Sequence, residues 1–375
     1  MKRVLHIVSD MGQGGAQIYV RNLVSIQKSS RELQPEVVVL FFKGPLWEKL
    51  KAVDIPVHYI GLKNSLDLLG LLRLLLFLKK NTFDIIHMHA IHPGISGMLY
   101  FVNAGSIYME HGGGLLEKNW KHRIVYKLFY KSYDAFIAIS KEMSRVMEKE
   151  QPRIKNKIKV IYNGVDVEKI QSTPPKDLIL TNEFKNKPVV GIIGRLVILK
   201  DVSLFLKTAA VISQKRPDVV FVIIGDGPLK KDLEEEAQRL GIRGKTIFTG
   251  YRADAINILK RFDVFLFTSA FEAFGLVLTE AMAARVAVVA LHQRGAVAVP
   301  DILTDKTDSY IVYNRDYKKA AERTLELLKD QNQYQKFTRN ALKTVKNRFS
   351  METNAKNIEK LYSVVYKTQF DSKGH

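Results

Sequence analysis

Glu272 and Glu280 stand eight residues apart, and between them Gly275 opens a segment, to about Ala284, that reads as a helix. With ~3.6 residues per turn, Glu280 falls about one and a half turns in. Both carboxylates can then border the helix N-terminus, where unpaired backbone N–H groups favour an anion. An acid on each flank of a bound phosphate can grip hydroxyl groups, an arrangement that suits a sugar nucleotide. Arg195, just after Gly194, and Lys200 supply the matching cations: a guanidinium meets phosphate oxygens as a planar fork, and lysine adds a compact charge. His111 ends an apolar run and is followed by Gly112, Gly113 and Gly114, so imidazole and backbone can approach a ligand closely; a turn histidine is the alternative. His87 and His89 point to one face of a strand, but spacing places no third ligand, so no metal is expected. Gly12, Gly14 and Gly15 lie between a first strand and a first helix, where phosphates are often cradled. A tight turn is the other reading. They are no dinucleotide fingerprint, because Lys43 stands where its ribose-binding acid belongs.

The elements that must position these residues alternate apolar runs with helical patterns. That is the signature of an α/β fold with mostly parallel sheets. Strands are expected at Arg3–Val8, Glu36–Phe42, Val57–Ile60, Ile85–Met88, Ser106–Glu110, Ala135–Ile139 and Lys157–Ile161. Helices are expected near Ala16–Ile26, Pro45–Ala52, Leu66–Lys79, His92–Val102, Tyr126–Ser132 and Lys141–Lys149. The Leu-rich segment from Leu66 to Lys80 reads as a buried domain helix rather than a membrane anchor. Residues 171–188, rich in Pro, Thr, Asn and Lys, form a candidate linker between a first domain, 1–170, and a second, 189–350. Within the second, Val264–Phe267 and Val286–Leu291 are expected strands on either side of the Glu280 helix.

Composition narrows the classes. The 375 residues suffice for two domains. The absence of cysteine excludes a disulfide framework, a thiolate metal site and a thiol nucleophile, and fits a cytoplasmic location. Met1-Lys2-Arg3 leads into an apolar run too short for a signal-peptide core. No run approaches the ~20 apolar residues that span a bilayer. The formal charge of +20 favours an anionic partner. Between Leu115 and Tyr133, lysines and arginines interleave with Trp120, Tyr126, Phe129, Tyr130 and Tyr133. That mixture suits an anionic membrane surface or a lipid-linked phosphate, or simply an amphipathic helix. Nucleic acid is not expected, since no recognition-motif signature is present.

Glu272-Ala273-Phe274-Gly275 with Glu280-Ala281-Met282-Ala283 resembles the E-x7-E motif of retaining glycosyltransferases of the GT-B fold, in particular glycosyltransferase family 4. The segments Gly194-Arg195-Leu196 with Lys200, Ile224-Gly225-Asp226-Gly227-Pro228 and Ile161-Tyr162-Asn163-Gly164-Val165-Asp166 are similar to segments of the same family. The resemblance implies two Rossmann-like domains facing a cleft, with a helix from about residue 351 returning to the first domain. It implies transfer of a sugar, with retention and without a metal, from a UDP- or GDP-type sugar to an acceptor hydroxyl. That acceptor is expected to be a lipid-linked or cell-envelope glycan, met at the inner face of the plasma membrane. No cofactor other than the nucleotide sugar is implied. Arg195, Lys200 and the amides following Phe274, at Gly275 and Leu276, are expected to hold the diphosphate. Glu272 is expected to hold the sugar, Glu280 the ribose and His111 the far side of the sugar. Gly194 and Arg252 are expected to border the nucleotide, and Gly14, Gly15 and His89 the acceptor side.

The chain departs from the family pattern at Arg285 and Ala287, where Gly and Pro are usual, at Asp201 and Ser309, where Gly is usual, and around Gly295, where one glycine of a pair remains. Two other readings therefore stay open: a nucleotide-sugar epimerase of the same fold, and a catalytically weakened member acting as a binding subunit.

Overall fold

The computed structural model describes residues 1–12, 14–52, 54–89, 92–111, 127–176, 186–293 and 299–371. Gly112–Gly114, most of the basic–aromatic stretch, most of the expected linker and Gly295 lie outside them. The described residues form two units, Met1–Gly164 with Met351–His375 and Val165–Ser350. The chain therefore leaves the first unit at Gly164 rather than at residue 170. The reason is local: Asp166 accepts a hydrogen bond from the Lys169 amide at 2.9 Å, capping the helix Val167–Ser172. That helix packs in the second unit, where Gln171 donates to the carbonyl of Ala283.

The first unit carries seven parallel strands: β1 (Lys2–Asp10), β2 (Leu33–Phe42), β3 (Val57–Tyr59), β4 (Ile85–Met88), β5 (Gly105–Glu110), β6 (Ala135–Ala138) and β7 (Ile158–Val160), in the order β3-β2-β1-β4-β5-β6-β7. Parallel strands are buried on both faces, which is why they read as continuous apolar runs. Val4, Leu5 and Ile7 on β1 and Val37, Val38, Val39 and Leu40 on β2 are fully buried. The helix Met351–Asp371 belongs to this unit, where Asn354 accepts from Tyr19 Oη at 2.8 Å and donates to the Tyr162 carbonyl at 2.6 Å.

The second unit carries β8 (Val189–Ile193), β9 (Val220–Ile224), β10 (Thr246–Gly250), β11 (Val264–Phe267), β12 (Ala287–His292) and β13 (Tyr310–Tyr313), also parallel, in the order β10-β9-β8-β11-β12-β13. Phe205, from the helix Val202–Lys215, meets Phe221 of β9 edge-on at 6.3 Å in the core. Gly225 shows how closely the strand ends approach. At φ +142° it lies so near Gly194 that a Cβ would sit 1.9 Å from the Gly194 carbonyl oxygen, so no larger residue fits.

Three family departures have physical accounts. Arg285 has φ +59° and forms the left-handed end of the helix Leu276–Ala283. Its N–H donates to Met282 O at 3.2 Å and the Val286 N–H to Ala281 O at 3.0 Å, the paired bonds of a Schellman stop. Glycine does this at lower cost. Arg285→Gly is therefore expected to stabilise the protein by about 1 kcal/mol, a rise of ~2–4 °C in midpoint. A melting curve that moves down would contradict this account of the stop. Asp201 likewise takes a left-handed conformation, φ +43°, which Asp tolerates better than most residues. Its carboxylate accepts from the Leu204 amide at 3.2 Å, capping the helix Val202–Lys215. Ser309 is buried without positive φ, and its hydroxyl donates to Asp308 at 3.1 Å, so this turn has no need of glycine.

Among the described residues, no helix is long and apolar enough to cross a membrane. The helix Leu68–Lys80 is not the buried element its composition suggested. Leu71, Leu74 and Leu78 face the core, but Leu68, Leu69, Leu72 and Leu76 are exposed, as is Leu66 just before it. Leucine at nearly every position satisfies a helix's inner face and leaves the outer face apolar as well.

Candidate functional site

In an open parallel sheet, ligands bind beyond the C-terminal strand ends where strand order reverses. In the second sheet that point lies between β8 and β11, which pair through Val190 with Val264 and Gly191 with Phe265. The loops leaving these two strands are fastened together. The amide of Ala270 donates to Leu199 O at 2.9 Å, and Thr268 Oγ1 donates to Lys200 O at 3.1 Å. Arg315, from the turn after β13, clamps both loops: its guanidinium donates to Asp201 Oδ2 at 2.5 Å and to Thr268 O at 2.8 Å.

On this frame Lys200 Nζ pairs with Glu272, each side chain about one-fifth exposed. The lysine stem passes over Gly194, with Cδ 3.4 Å from where a Cβ would stand. Gly275 lies on the other side of Glu272: at φ +91° a Cβ there would be 3.4 Å from Glu272 Cγ. Gly194, Lys200, Glu272 and Gly275 thus form one contiguous group, with Leu276 as the first residue of the following helix, whose N-terminus carries no side-chain cap. Arg195, beside Gly194, is exposed, and its side chain makes no hydrogen bond or ion pair among the described residues.

Glu280 is half-buried on that helix, and among the described residues no cation or hydrogen-bond donor meets its carboxylate. Burial pushes its pKa up from 4.5 to about 7. A half-buried carboxylate left short of partners can accept hydrogen bonds from hydroxyl groups. Phe274 contributes backbone only, because its ring is buried edge-on against Phe349 at 5.9 Å. Arg252 is held by Asp254 through two bonds of 2.8 Å, with Lys176 on the same carboxylate at 2.9 Å. Those cations hold Asp254 far below the usual carboxylate range.

In the first sheet strand order reverses between β1 and β4. Gly14 and Gly15, both exposed, open the helix Gly15–Lys28 beyond β1, and Asp10 braces the loop by accepting from the Gly12 amide at 2.8 Å and from Gln17 Nε2 at 3.0 Å. His89 lies beyond β4 and His111 beyond β5. These two half-buried rings join buried polar groups: Gln27 Oε1 to His6 Nε2 at 2.7 Å, His6 Nδ1 to His89 Nε2 at 3.0 Å, and His89 Nδ1 to His111 Nε2 at 3.1 Å. Tyr362 Oη lies 2.6 Å from His87 Nδ1 and 3.5 Å from Gln27 Nε2. Burial holds all four imidazoles below their ordinary pKa, His6 and His111 at about 4. One ring nitrogen each from His6, His87 and His89 lies within 4.8 Å of the others.

The family model described as "Glycosyltransferase Family 4" matches residues 13–169, and that described as "Glycosyl transferases group 1" matches residues 179–344. The chain belongs to glycosyltransferase family 4. This glycosyltransferase is 33% identical over 258 residues to the Escherichia coli UDP-Gal:alpha-D-GlcNAc-diphosphoundecaprenol alpha-1,3-galactosyltransferase, covering 64% of this chain and 66% of that one. It is 26% identical over 342 residues to the Staphylococcus aureus capsular polysaccharide biosynthesis glycosyltransferase CapM, covering 85% and 88%. A Methanocaldococcus jannaschii glycosyltransferase, MJ1059, is 29% identical, and the match spans 41% of its length. The fold matches that of Anabaena Alr3699/HepE, solved with UDP and glucose, at TM-score 0.80 and 22% identity over 97% of this chain and all of that one. The units are therefore the two Rossmann-like halves of a GT-B fold.

Four residues of these two candidate sites were not legible in the sequence. His6 sits inside an apolar run and reads as core. Its place became visible only through strand pairing, which sets it opposite His87. Gln27, Tyr362 and Arg315 lie far along the chain from the groups they touch, with no local spacing to mark them.

Proposed function

We propose that this glycosyltransferase moves a sugar from a nucleoside diphosphate sugar, of UDP or GDP type, to a hydroxyl of a lipid-linked or cell-envelope glycan, with retention at the anomeric carbon. The observation that carries the donor reading is the second-unit group in which Lys200, Glu272 and Gly275 meet beside Gly194 and Arg195. A diphosphate arriving there would find two cations and an uncapped helix N-terminus, the preorganised charge that a departing diphosphate needs. Glu272 would exchange Lys200 for sugar hydroxyls, and Glu280 would accept the ribose hydroxyls. His111 and His89, with the Gly14–Gly15 loop, are assigned to the sugar and acceptor from the first unit, and Arg252 to the base. With arginine and lysine neutralising the phosphates, no divalent cation is needed. UDP is favoured by the donor in the E. coli relative's name and the nucleotide bound in the Anabaena structure.

The test is a transfer assay offering UDP- and GDP-sugars with a polyprenyl-diphosphate-linked sugar acceptor, in EDTA, with the anomeric configuration of the product read by NMR. An α-linked product from an α-linked donor is expected. Inversion, or dependence on added metal, would remove those parts of the reading. Conversion of the nucleotide sugar without acceptor would point to an epimerase. Nucleotide binding with no transfer would point to a binding subunit.

Membrane contact is part of the proposal, and the helix Leu68–Lys80 supports it. At ~100° per residue, its exposed Leu68, Leu69, Leu72 and Leu76 share a face bordered by exposed Arg73, Lys79 and Lys80, with Lys63 ahead of it. An apolar stripe ringed by cations suits an anionic interface, where a lipid-linked acceptor would be met. The full chain is expected to cosediment with vesicles containing anionic lipid and to come off in high salt. The pair Leu68→Glu with Leu72→Glu should weaken that binding at least tenfold. Sedimentation insensitive both to lipid charge and to this pair would end the membrane reading.

A further inference from the structure

Four histidines of the first unit, His6 and His87 buried and His89 and His111 half-buried, belong to a single hydrogen-bonded line with two ends. Its order is His87, Tyr362, Gln27, His6, His89, His111. Each imidazole is neutral, because burial opposes its charge, so each ring has one N–H and one bare nitrogen. Every link needs one donor and one acceptor. Fixing the hydrogen on His6 therefore fixes it on His89 and His111, while His87 is coupled less strictly because the Tyr362 hydroxyl can also accept from both neighbours; two arrangements run unbroken along the whole line.

In the first, Tyr362 donates to His87 Nδ1 and accepts from the Gln27 amide. Gln27 Oε1 accepts from His6 Nε2–H, His6 Nδ1 accepts from His89 Nε2–H, and His89 Nδ1 accepts from His111 Nε2–H. All four rings then carry hydrogen on Nε2, the tautomer that a neutral histidine side chain prefers when free. In the second, the Gln27 amide is turned over so that its nitrogen donates to His6 Nε2 and its oxygen accepts from Tyr362, every other hydrogen is reversed, and all four rings carry hydrogen on Nδ1, the less favoured form. The preference adds over four rings and no link opposes it. His87 Nε2 is buried without a partner in either case, so it does not discriminate.

We infer that Gln27, His6 and His89 are positioning residues that lock His111 with hydrogen on Nε2 and a bare Nδ1. His111 is the half-buried last member, just beyond the C-terminal end of β5, where a parallel sheet receives ligands. Its Nδ1 is then a neutral acceptor that takes a hydrogen bond from a substrate hydroxyl and cannot donate one. A hydroxyl is thereby selected over a carbonyl or ether oxygen at that point. The use of that lone pair on a sugar or acceptor hydroxyl rests on the transferase reading; the tautomer itself does not.

The experiment is nitrogen NMR on the full chain labelled with 15N-histidine at pH 7.5, with His111 assigned by loss of its signal in His111→Gln. In the wild type His111 Nδ1 should be bare and Nε2 protonated. Gln27→Glu keeps an acceptor for His6 and should preserve that pattern. Gln27→Leu strands the buried His6 Nε2–H without an acceptor, which opposes the rings' own preference for Nε2–H, so His111 should become a mixture of tautomers, with kcat falling roughly tenfold and the donor KM little changed. A protonated Nδ1 on wild-type His111, or an unaltered tautomer in folded Gln27→Leu, overturns the inference. So does loss of the wild-type pattern on adding a chelator, because the three clustered histidines would then be holding a metal ion. If the tautomers are as stated but no nucleotide sugar supports transfer, the transferase reading fails and the relay stands.

Discussion

Lys200→Ala is expected to lower kcat/KM for transfer about 10²–10³-fold, the usual consequence of removing one preorganised group that meets developing charge. In the ligand-free protein Lys200 is paired with Glu272, each about one-fifth exposed. The substitution therefore also leaves a partly buried carboxylate without its cation. That cost to folding is on the order of 1 kcal/mol, small against a unit's total, so the loss of activity should not trace to unfolding. The same pair predicts an effect of opposite sign. Glu272→Gln frees Lys200 for phosphate, so UDP alone should bind as tightly as to wild type or more tightly, while sugar transfer falls sharply. Weaker UDP binding by Glu272→Gln, with Lys200→Ala binding UDP as the wild type does, would mean that Glu272, and not the lysine, organises the diphosphate. Wild-type turnover by Lys200→Ala would remove the donor site proposed here.

Glu280→Gln is expected to separate stability from activity. Burial raises the folded-state pKa of Glu280 from 4.5 to about 7. A raised pKa favours folding while the group is protonated in both states, below about 4.5. That advantage is lost as pH climbs through about 7, where the folded protein must hold a partly desolvated charge. The glutamine variant has no such charge. It should match the wild type near pH 4.5 and exceed it at pH 8 by roughly 1–3 kcal/mol, less if the half-exposed rim of the site screens the charge. Transfer should nonetheless drop by at least tenfold, because an amide is a poorer acceptor of ribose hydroxyls than a carboxylate. Hydroxyls that bond to the carboxylate favour its charged form, so UDP affinity in the wild type should tighten between pH 6 and pH 8. Glu280→Gln should lose that part of the pH dependence. Denaturant melts at the two pH values, paired with calorimetry of UDP binding, read all three effects. A variant less stable than wild type at pH 8 would show that the carboxylate has a stabilising partner after all.

The residue types and order alone settled the alternation of strands and helices. Runs such as Val37–Leu40 and Val264–Phe267 read as buried strands because they are short, unbroken by polar residues and rich in β-branched or aromatic side chains. Sequence also settled the family, through Glu272, Glu280, Arg195 and Lys200 in their local frames, and strand boundaries fell within a few residues of the observed ones. Local pattern failed at the helix Leu68–Lys80. A segment of leucines looks the same whether one face or both faces are covered, and only the neighbours present decide. Arg285 and Asp201 looked like damage to a glycine pattern, whereas the backbone places both in the left-handed region and gives each a role in ending or starting a helix.

What tertiary structure alone decided is the pairing of side chains distant along the chain. Lys200 finds Glu272 because strand order reverses between β8 and β11, which carries two loops 72 residues apart to one edge of a sheet. Gln27 and Tyr362 join His87 to the rest of the histidine line although 335 residues separate them. A hydrogen bond spans about 3 Å and so depends on final geometry, whereas burial and periodicity are properties of a segment. Sequence therefore named the family of this protein, and the fold chose which side chains meet.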